Sequence, residues 1–245
     1  MTRVLPAVGI LCGGRGTRLG RGDAPIPKAL VEIGDRPIVW HVIQLYAAAG
    51  FSRFVLLTGY LAAAVEAFVG ACVWPPGVSV ECFDTGVDTA SGGRVLRALR
   101  AAALGAGTFC LTYADGVADL DLLALLAEHE RLARSGAVGT LAVVRPQLPF
   151  GVATLAADGH VTGFIEKPVS SDWVNGGFMC FEPELASSLT DDDALERQPF
   201  AALAAAGRLA AFRHEGFWRC LDTYKDAAAL DELWSLGSPP WKAWA

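Results

Sequence analysis

Positive charge is the scarcer sign in this chain: 20 Lys and Arg face 26 Asp and Glu, a formal net charge of −6. No stripe of basic residues gathers to meet a polyphosphate backbone, so the sequence predicts no nucleic-acid partner. Any anionic ligand must be met by a few Arg and Lys acting locally against the field of the whole molecule, which makes each of them informative. Metal-binding patterns are equally sparse. The six cysteines, Cys12, Cys72, Cys82, Cys110, Cys180 and Cys220, form no C-x-x-C pair and several sit in apolar runs, as buried thiols of a reducing compartment do. The four histidines never reach ligand spacing, and His129-Glu130 has no second His at the required offset, which counts against zinc. No uninterrupted apolar stretch is long enough for a membrane span, and the first residues lack a signal-peptide profile. A soluble, cytoplasmic protein with no membrane partner is expected. Internal repeats, low-complexity tracts and charge blocks are missing too.

What is present is a chain of 245 residues, 53% hydrophobic and 19% charged, enough to bury a large core and far from the composition of a disordered polymer. Short apolar runs suited to buried parallel strands fall at Ala7–Leu11, Phe54–Leu57, Val78–Phe83 and Phe109–Thr112. Between them the spacing is helical: Ile38, Val42, Leu45 and Ala49 with Gly50 as a stop, then Leu61–Phe68, Val95–Leu104 and Leu120–Leu132. Ala-rich runs at Ala101 and Ala201 mark helices as well. Strict alternation predicts an α/β fold with a doubly wound, mostly parallel, Rossmann-like sheet, whose ligand lies beyond the carboxyl ends of the strands near the topological switch point. From about Leu141 the pattern turns antiparallel: Val152–Leu155, a two-residue turn at Asp158-Gly159, and Val161–Ile165 read as a hairpin. Leu209–Phe212 adds a strand, and Thr223–Leu236 a closing helix before Pro239-Pro240. The expected organisation is one domain over residues 1–245, with halves of about 1–140 and 141–245 and an inserted β-rich lobe in the second.

The first strand runs directly into Leu11-Cys12-Gly13-Gly14-Arg15-Gly16-Thr17-Arg18-Leu19. Glycines let backbone N–H groups approach an anion closely, and Arg supplies a fork of charge for phosphate oxygens. The run is not a P-loop, since no Gly-Lys-Ser/Thr follows. Nor is it the dinucleotide G-x-G-x-x-G, because Leu19 stands where the last glycine is needed, and this argues against a dehydrogenase. An ordinary glycine-rich turn with solvated arginines is the competing reading. Prolines stiffen Pro25-Ile26-Pro27-Lys28 and can hold Lys28 near the cradle, although a surface lysine would look the same. Asp115, in Thr112-Tyr113-Ala114-Asp115-Gly116, and Asp222, in Phe217-Trp218-Arg219-Cys220-Leu221-Asp222, fall beside strand ends. Hard carboxylate oxygens next to phosphates are what Mg²⁺ uses; a turn at Asp115 and capping of the last helix by Asp222 explain them equally well. Thr89-Ala90-Ser91-Gly92-Gly93-Arg94 offers a polar helix entrance for a base edge or ribose, or plain capping. Glu166-Lys167-Pro168 and Trp173-Val174-Asn175-Gly176-Gly177-Phe178 suit a hydroxyl-rich ligand, or a rim salt bridge and a turn.

Taken in order along essentially the full length, these motifs resemble the nucleotidyltransferases that join a sugar 1-phosphate to a nucleoside triphosphate, and among them the cytidylyl branch. The glycine–arginine run, Glu166-Lys167-Pro168 and the Asp222 segment carry the likeness to the superfamily. Val31-Glu32-Ile33-Gly34, Trp40-His41, Asn175-Gly176-Gly177, Phe217-Trp218 and Pro240-Trp241-Lys242 carry it to the branch. The resemblance implies attack by the phosphate oxygen of a sugar 1-phosphate, glucose 1-phosphate foremost, on the α-phosphorus of CTP. The products would be a CDP-sugar and pyrophosphate, with no covalent enzyme intermediate. It implies catalytic roles for Arg18, Lys28, Asp115 and Asp222, the two aspartates holding magnesium (Mg²⁺). Nucleotide contacts would come from Leu11, Cys12, Gly13, Gly14, Arg15, Gly16, Thr17, Thr89, Gly92, Gly93, Arg94 and Ala114, and sugar-phosphate contacts from Glu166, Lys167, Asn175 and Gly176. A homo-oligomer is implied as well. The alternatives are uridylyl or thymidylyl transfer, another sugar 1-phosphate, and a non-catalytic nucleotide-sugar sensor. The joint presence of Arg18, Lys28, Asp115 and Asp222 weighs against the last.

Overall fold

The computed structural model describes residues 4–14 and 25–244. The chain begins with β1 (Val8–Leu11), and a one-turn 3₁₀ helix (Lys28–Leu30) leads to the short strands β2 (Glu32–Ile33) and β3 (Arg36–Pro37). Helix and strand then alternate: α1 (Ile38–Ala48), β4 (Arg53–Thr58), α2 (Ala62–Ala71), β5 (Ser79–Asp84), α3 (Ser91–Arg100), β6 (Phe109–Tyr113), the short β7 (Gly116–Ala118), α4 (Leu122–Ala133) and β8 (Gly139–Val144). A hairpin of β9 (Val152–Leu155) and β10 (Val161–Ile165) follows, then β11 (Val174–Phe181), α5 (Gln198–Ala205), β12 (Leu209–Arg213), β13 (Trp218–Cys220) and α6 (Tyr224–Ser235).

The main sheet has the order β12-β8-β11-β6-β1-β4-β5, in which β11 is the antiparallel strand. Strand alternation builds a core on each face. Val8, Ile10, Phe54, Leu56, Cys110 and Phe178 join the core containing residues of α1, α4 and α6, while Val55, Leu57, Phe109, Leu111, Met179 and Phe181 join that of α3 and α5. The expected doubly wound α/β sheet is therefore observed. Among the described residues, antiparallel pairing after β8 comes from β11, the pairs β9–β10 and β7–β13 and a bridge between Gln147 and Val169, whereas β8 and β12 pair in parallel within the main sheet.

From β1 the chain builds outward through β4 to β5, then returns to place β6 on the other side of β1. The carboxyl ends of β1 and β6 therefore flank the switch point, the place where open α/β sheets bind ligands.

Three expectations change. Helix α3 ends at Arg100, so the run from Ala101 to Leu104 forms the turn after it. The hairpin is closed by Ala156–His160, with the Ala156 N–H donating to the His160 carbonyl at 2.8 Å, and not by a two-residue turn. A two-residue turn of the favoured kind needs left-handed backbone at both central positions, and here Gly159 has it (φ 88°) while Asp158 does not. Helix α3 starts at Ser91, so Gly92 and Gly93 lie in its first turn and not in a loop before it. A Cβ at Gly93 would stand 2.1 Å from the Asp191 carbonyl oxygen, and one at Gly92 2.7 Å from that of Asp193, so only glycine lets this helix end press so close.

Most motifs of the cytidylyl branch build a structural corner. The His41 ring accepts from the Trp241 indole N–H at 3.5 Å, and its other nitrogen lies 3.0 Å from the Ile33 carbonyl, so that nitrogen carries the proton. Trp241 is fully buried and stacks on Phe217 and Trp234. Gly34 (φ 66°) donates its N–H to Asp231 at 2.7 Å, and a Cβ there would collide with the Trp234 ring.

Candidate active site

At the switch point, the backbone after β1 and β6 lines a small pocket with Leu11, Cys12, Gly14, Lys28, Ala29, Tyr113, Ala114 and Asp115. It adjoins a larger cleft of about 710 Å³ lined by Thr112, Tyr113, Asp115, Gly116, Asn175, Gly176, Gly177, Glu196, Trp218, Cys220 and Asp222. Tyr113 and Asp115 belong to both.

Lys28 stands between the two aspartates singled out from the sequence. Its ammonium is 2.5 Å from Asp115 Oδ2 and 2.6 Å from Asp222 Oδ1, although the residues are separated by up to 194 positions in sequence. Pairing of β7 with β13 brings the aspartates together: Gly116 registers with Cys220, and the Leu221 N–H donates to the Asp115 carbonyl at 2.8 Å. Asp222 is not the cap of α6; Thr223 fills that position, in a capping box with Asp226. Burial lifts the Asp115 carboxyl above the ordinary carboxylate range, against the pull of Lys28. Burial by itself would lower Lys28, but Asp115 and Asp222 together hold its ammonium above the ordinary lysine range.

An oxygen from each aspartate and the Cys220 sulfur lie within 4.8 Å of one another, a set that could hold a metal ion. The Cys220 thiol donates to Asp222 Oδ2 at 3.2 Å and is pushed up by burial, so it remains a neutral donor. The two hard oxygens beside an open cleft fit Mg²⁺, which takes one or two carboxylates and completes its shell with phosphate and water.

The sugar-side residues divide. Asn175 and Gly176 line the cleft, where a register shift in β11 between Asn175 and Met179 re-aims the strand. Glu166 and Lys167 are outside its lining. They pair with each other at 3.8 Å, with side chains 61% and 46% exposed, at the end of the hairpin, and Lys167 holds a left-handed backbone (φ 46°).

On the nucleotide side, Leu11, Cys12, Gly14 and Ala114 line the small pocket. Thr89 lies in a separate depression with Gly86, Arg97 and Asp191, and its hydroxyl donates to the Thr85 carbonyl at 2.6 Å. Gly92 and Gly93 direct their N–H groups to the Asp193 carbonyl. Arg94 is turned inward: its guanidinium donates to the carbonyls of Thr58 (2.8 Å), Gly13 (2.8 Å), Gly86 (2.9 Å) and Val87 (3.3 Å) and to Thr85 Oγ1 (2.6 Å). Gly13 and Gly59 are glycines for its sake, since a Cβ at either would lie within 2.3 Å of a guanidinium nitrogen. Arg15, Gly16, Thr17 and Arg18 lie outside the described residues. Sequence reasoning missed Tyr113, Glu196, Trp218 and Cys220 as cleft residues; Tyr113 and Cys220 sit two positions from an aspartate and Trp218 four, and that proximity was the available signal.

A switch-point pocket with paired carboxylates and an apposed lysine suits an anionic ligand held beside a metal ion. The nucleotidyl transferase family model matches residues 8–219, and the chain belongs to that family. Over 256 residues it is 34% identical to the probable glucose-1-phosphate cytidylyltransferase of Bacillus subtilis (strain 168), covering 96% of this chain and 98% of the relative. The glucose-1-phosphate cytidylyltransferase of Salmonella typhimurium is 35% identical over 258 residues, with the same coverage of 96% and 98%. In fold the chain is similar to HddC from Yersinia pseudotuberculosis, with TM-score 0.71, 20% identity, and coverage of 94% of this chain and 100% of that one.

Proposed function

We propose that this protein transfers a cytidylyl group from CTP to glucose 1-phosphate, releasing pyrophosphate. The observation that carries the reading is the Lys28 ammonium seated between Asp115 and Asp222 at the mouth of two adjoining pockets. Such a site concentrates and neutralises charge, which is most of what phosphoryl chemistry asks of a protein. The cytidylyltransferase relatives, matched over nearly their whole length, supply the choice of nucleotide and sugar.

In this reading Leu11, Cys12, Gly14 and Ala114 border the triphosphate, and the resemblance assigns phosphate contacts to Arg15, Gly16, Thr17 and Arg18 as well. Lys28 leaves the carboxylates to meet phosphate oxygens when the nucleotide binds, and the phosphate charge then takes over from the aspartates in keeping it cationic. Asp115 and Asp222 would hold Mg²⁺, which supplies charge neutralisation at the reacting phosphates. Asn175 and the Gly176 backbone face the sugar in the larger cleft. Glu166 and Lys167 would contribute sugar-phosphate contacts from the rim, outside the cleft lining. Arg94 acts on the nucleotide through the backbone it fixes, as a positioning residue. We also propose a single cytoplasmic domain that self-associates. In support, the hairpin leaves Leu155, Val161, Phe164 and Ile165 more than 60% exposed, an unusual apolar surface for a lone monomer. Among the described residues no helix is long and apolar enough to cross a membrane.

The test is direct: purified protein, Mg²⁺ and glucose 1-phosphate with each nucleoside triphosphate in turn, following pyrophosphate. Release with CTP foremost is expected. Release with UTP or dTTP instead would transfer the chemistry to another nucleotide, and nucleotide binding without release would make the protein a sensor.

A further inference from the structure

Tyr113 is, with Asp115, shared by the two pockets, and what holds its ring comes from elsewhere in the chain. Its ring lies against Gly177, whose φ of 84° and missing side chain allow the approach; a Cβ there would stand 2.8 Å from the ring. Its hydroxyl donates to Glu196 Oε1 at 2.6 Å. The second oxygen of Glu196 takes the Ser91 hydroxyl at 2.7 Å, and Ser91 in turn accepts the Leu195 N–H at 2.8 Å. One carboxylate thus ties the first turn of α3, the end of β6 and the segment before α5 into a single network. The Asn175 amide lies 3.5 Å from the Tyr113 hydroxyl, at the outer limit of a hydrogen bond. Nothing in the proposed chemistry requires Glu196 to touch a phosphate, and a carboxylate facing anionic substrates would repel them unless it served another purpose.

We infer that Glu196 is a positioning residue: it holds Tyr113 as a partition that sets the sugar phosphate and the nucleotide in line for transfer. The inference rests on the transfer reading above and adds the element that aligns the two substrates. In-line attack depends on the placement of both reactants, and a shift on the scale of an ångström at a shared wall lowers turnover without necessarily weakening either binding step. Two short hydrogen bonds to one carboxylate fix the wall at its tip, while Gly177 fixes it along its face.

The test is a cycle of four variants, Tyr113→Phe, Glu196→Ala, Glu196→Gln and the double Tyr113→Phe/Glu196→Ala, each assayed for pyrophosphate release with CTP and glucose 1-phosphate. Tyr113→Phe and Glu196→Ala should each lower kcat about tenfold, with KM for either substrate within about threefold of the parent. The double variant should lose no more than the worse single one, because both remove the same contact. Glu196→Gln keeps an acceptor oxygen for the tyrosine and should retain most of kcat. Melting temperatures separate these effects from a loss of fold, and the near-isosteric Phe and Gln variants keep the cycle readable if Glu196→Ala is unstable. Losses that multiply in the double variant, changes confined to KM, or a Gln variant as impaired as Ala would overturn the inference while leaving the transfer reading intact. A parent enzyme that releases no pyrophosphate overturns both.

Discussion

Replacing Asp115 with Asn separates two effects that the native carboxylate combines. Asp115 is mostly buried, at 22% side-chain exposure, and its proton affinity is raised by that burial. A raised carboxyl means that ionisation costs the folded state more than the unfolded chain, so at neutral pH this carboxylate subtracts stability. The amide removes that cost and gives up attraction to Lys28, which still has Asp222 at 2.6 Å. The two changes oppose each other, and the net should stay within about 1 kcal/mol, or about 2–4 °C in Tm for a chain of this length. Turnover has no such compensation. One of two anionic oxygens facing a cation is lost, and a unit charge at about 4 Å with an effective dielectric near 20 is worth about 4 kcal/mol. Even after screening, kcat/KM should fall by at least about 100-fold. Pyrophosphate release across a Mg²⁺ titration, beside a thermal melt without divalent ions, reads both quantities. A variant with near-parental turnover, or one that melts more than about 8 °C lower, would show that Lys28 and Asp115 form a structural strut.

Three further outcomes follow from the same geometry. Arg94→Lys replaces a guanidinium serving five acceptors with an ammonium of three donors. At least two of those acceptors should lose their donor, for a loss of about 1–3 kcal/mol in chemical unfolding; an unchanged midpoint would contradict the placement of Arg94. His41 and His129 are both buried, and burial lowers each from the ordinary 6.5, partly offset by Ile33 for His41 and Glu182 for His129. The unfolded chain therefore takes up protons first, and stability should decline as pH falls from about 6.5 through the lower folded values. His41→Asn should flatten part of that slope in urea midpoints, and a profile unaltered by the substitution would reject the assignment. Lys167→Ala should raise KM for the sugar phosphate with little effect on nucleotide affinity, and collapse of nucleotide binding alone would place Lys167 on the wrong substrate.

Periodicity made the sheet legible, because a parallel strand covered on both faces is apolar at every position and the helices around it carry their own period. The hairpin strands Val152–Leu155 and Val161–Ile165 stood out for another reason, the Asp158-Gly159 turn signal between them, since both strands are exposed. The start of α3 did not. Glycine is a poor helix former by propensity, and close packing on Asp191 and Asp193 overrides that preference at Gly92 and Gly93. Lys28, Asp115 and Asp222 were readable as residue types beside strand ends, whereas their convergence depends on the β7–β13 pairing, too short to leave a pattern. Glu196 was invisible for a related reason: its partners Ser91 and Tyr113 lie 105 and 83 positions away. The polar helix entrance at Thr89 to Arg94 allowed both a ligand contact and plain capping, and in the fold Arg94 turns inward to bind carbonyls. The Trp and His motifs proved just as ambiguous, since a sequence records that an aromatic residue is needed without recording whether a ligand or a neighbouring helix needs it.

The corner made by His41 and Trp241 spans 200 positions of chain. During synthesis α1 emerges 200 positions before the tryptophan that covers it, so its aromatic side stays bare over all of that interval. The growing polypeptide thus carries a sticky seam until the Trp241 segment arrives, and the yield of soluble protein should depend more on chaperone supply at that corner than on the robustness of the finished sheet.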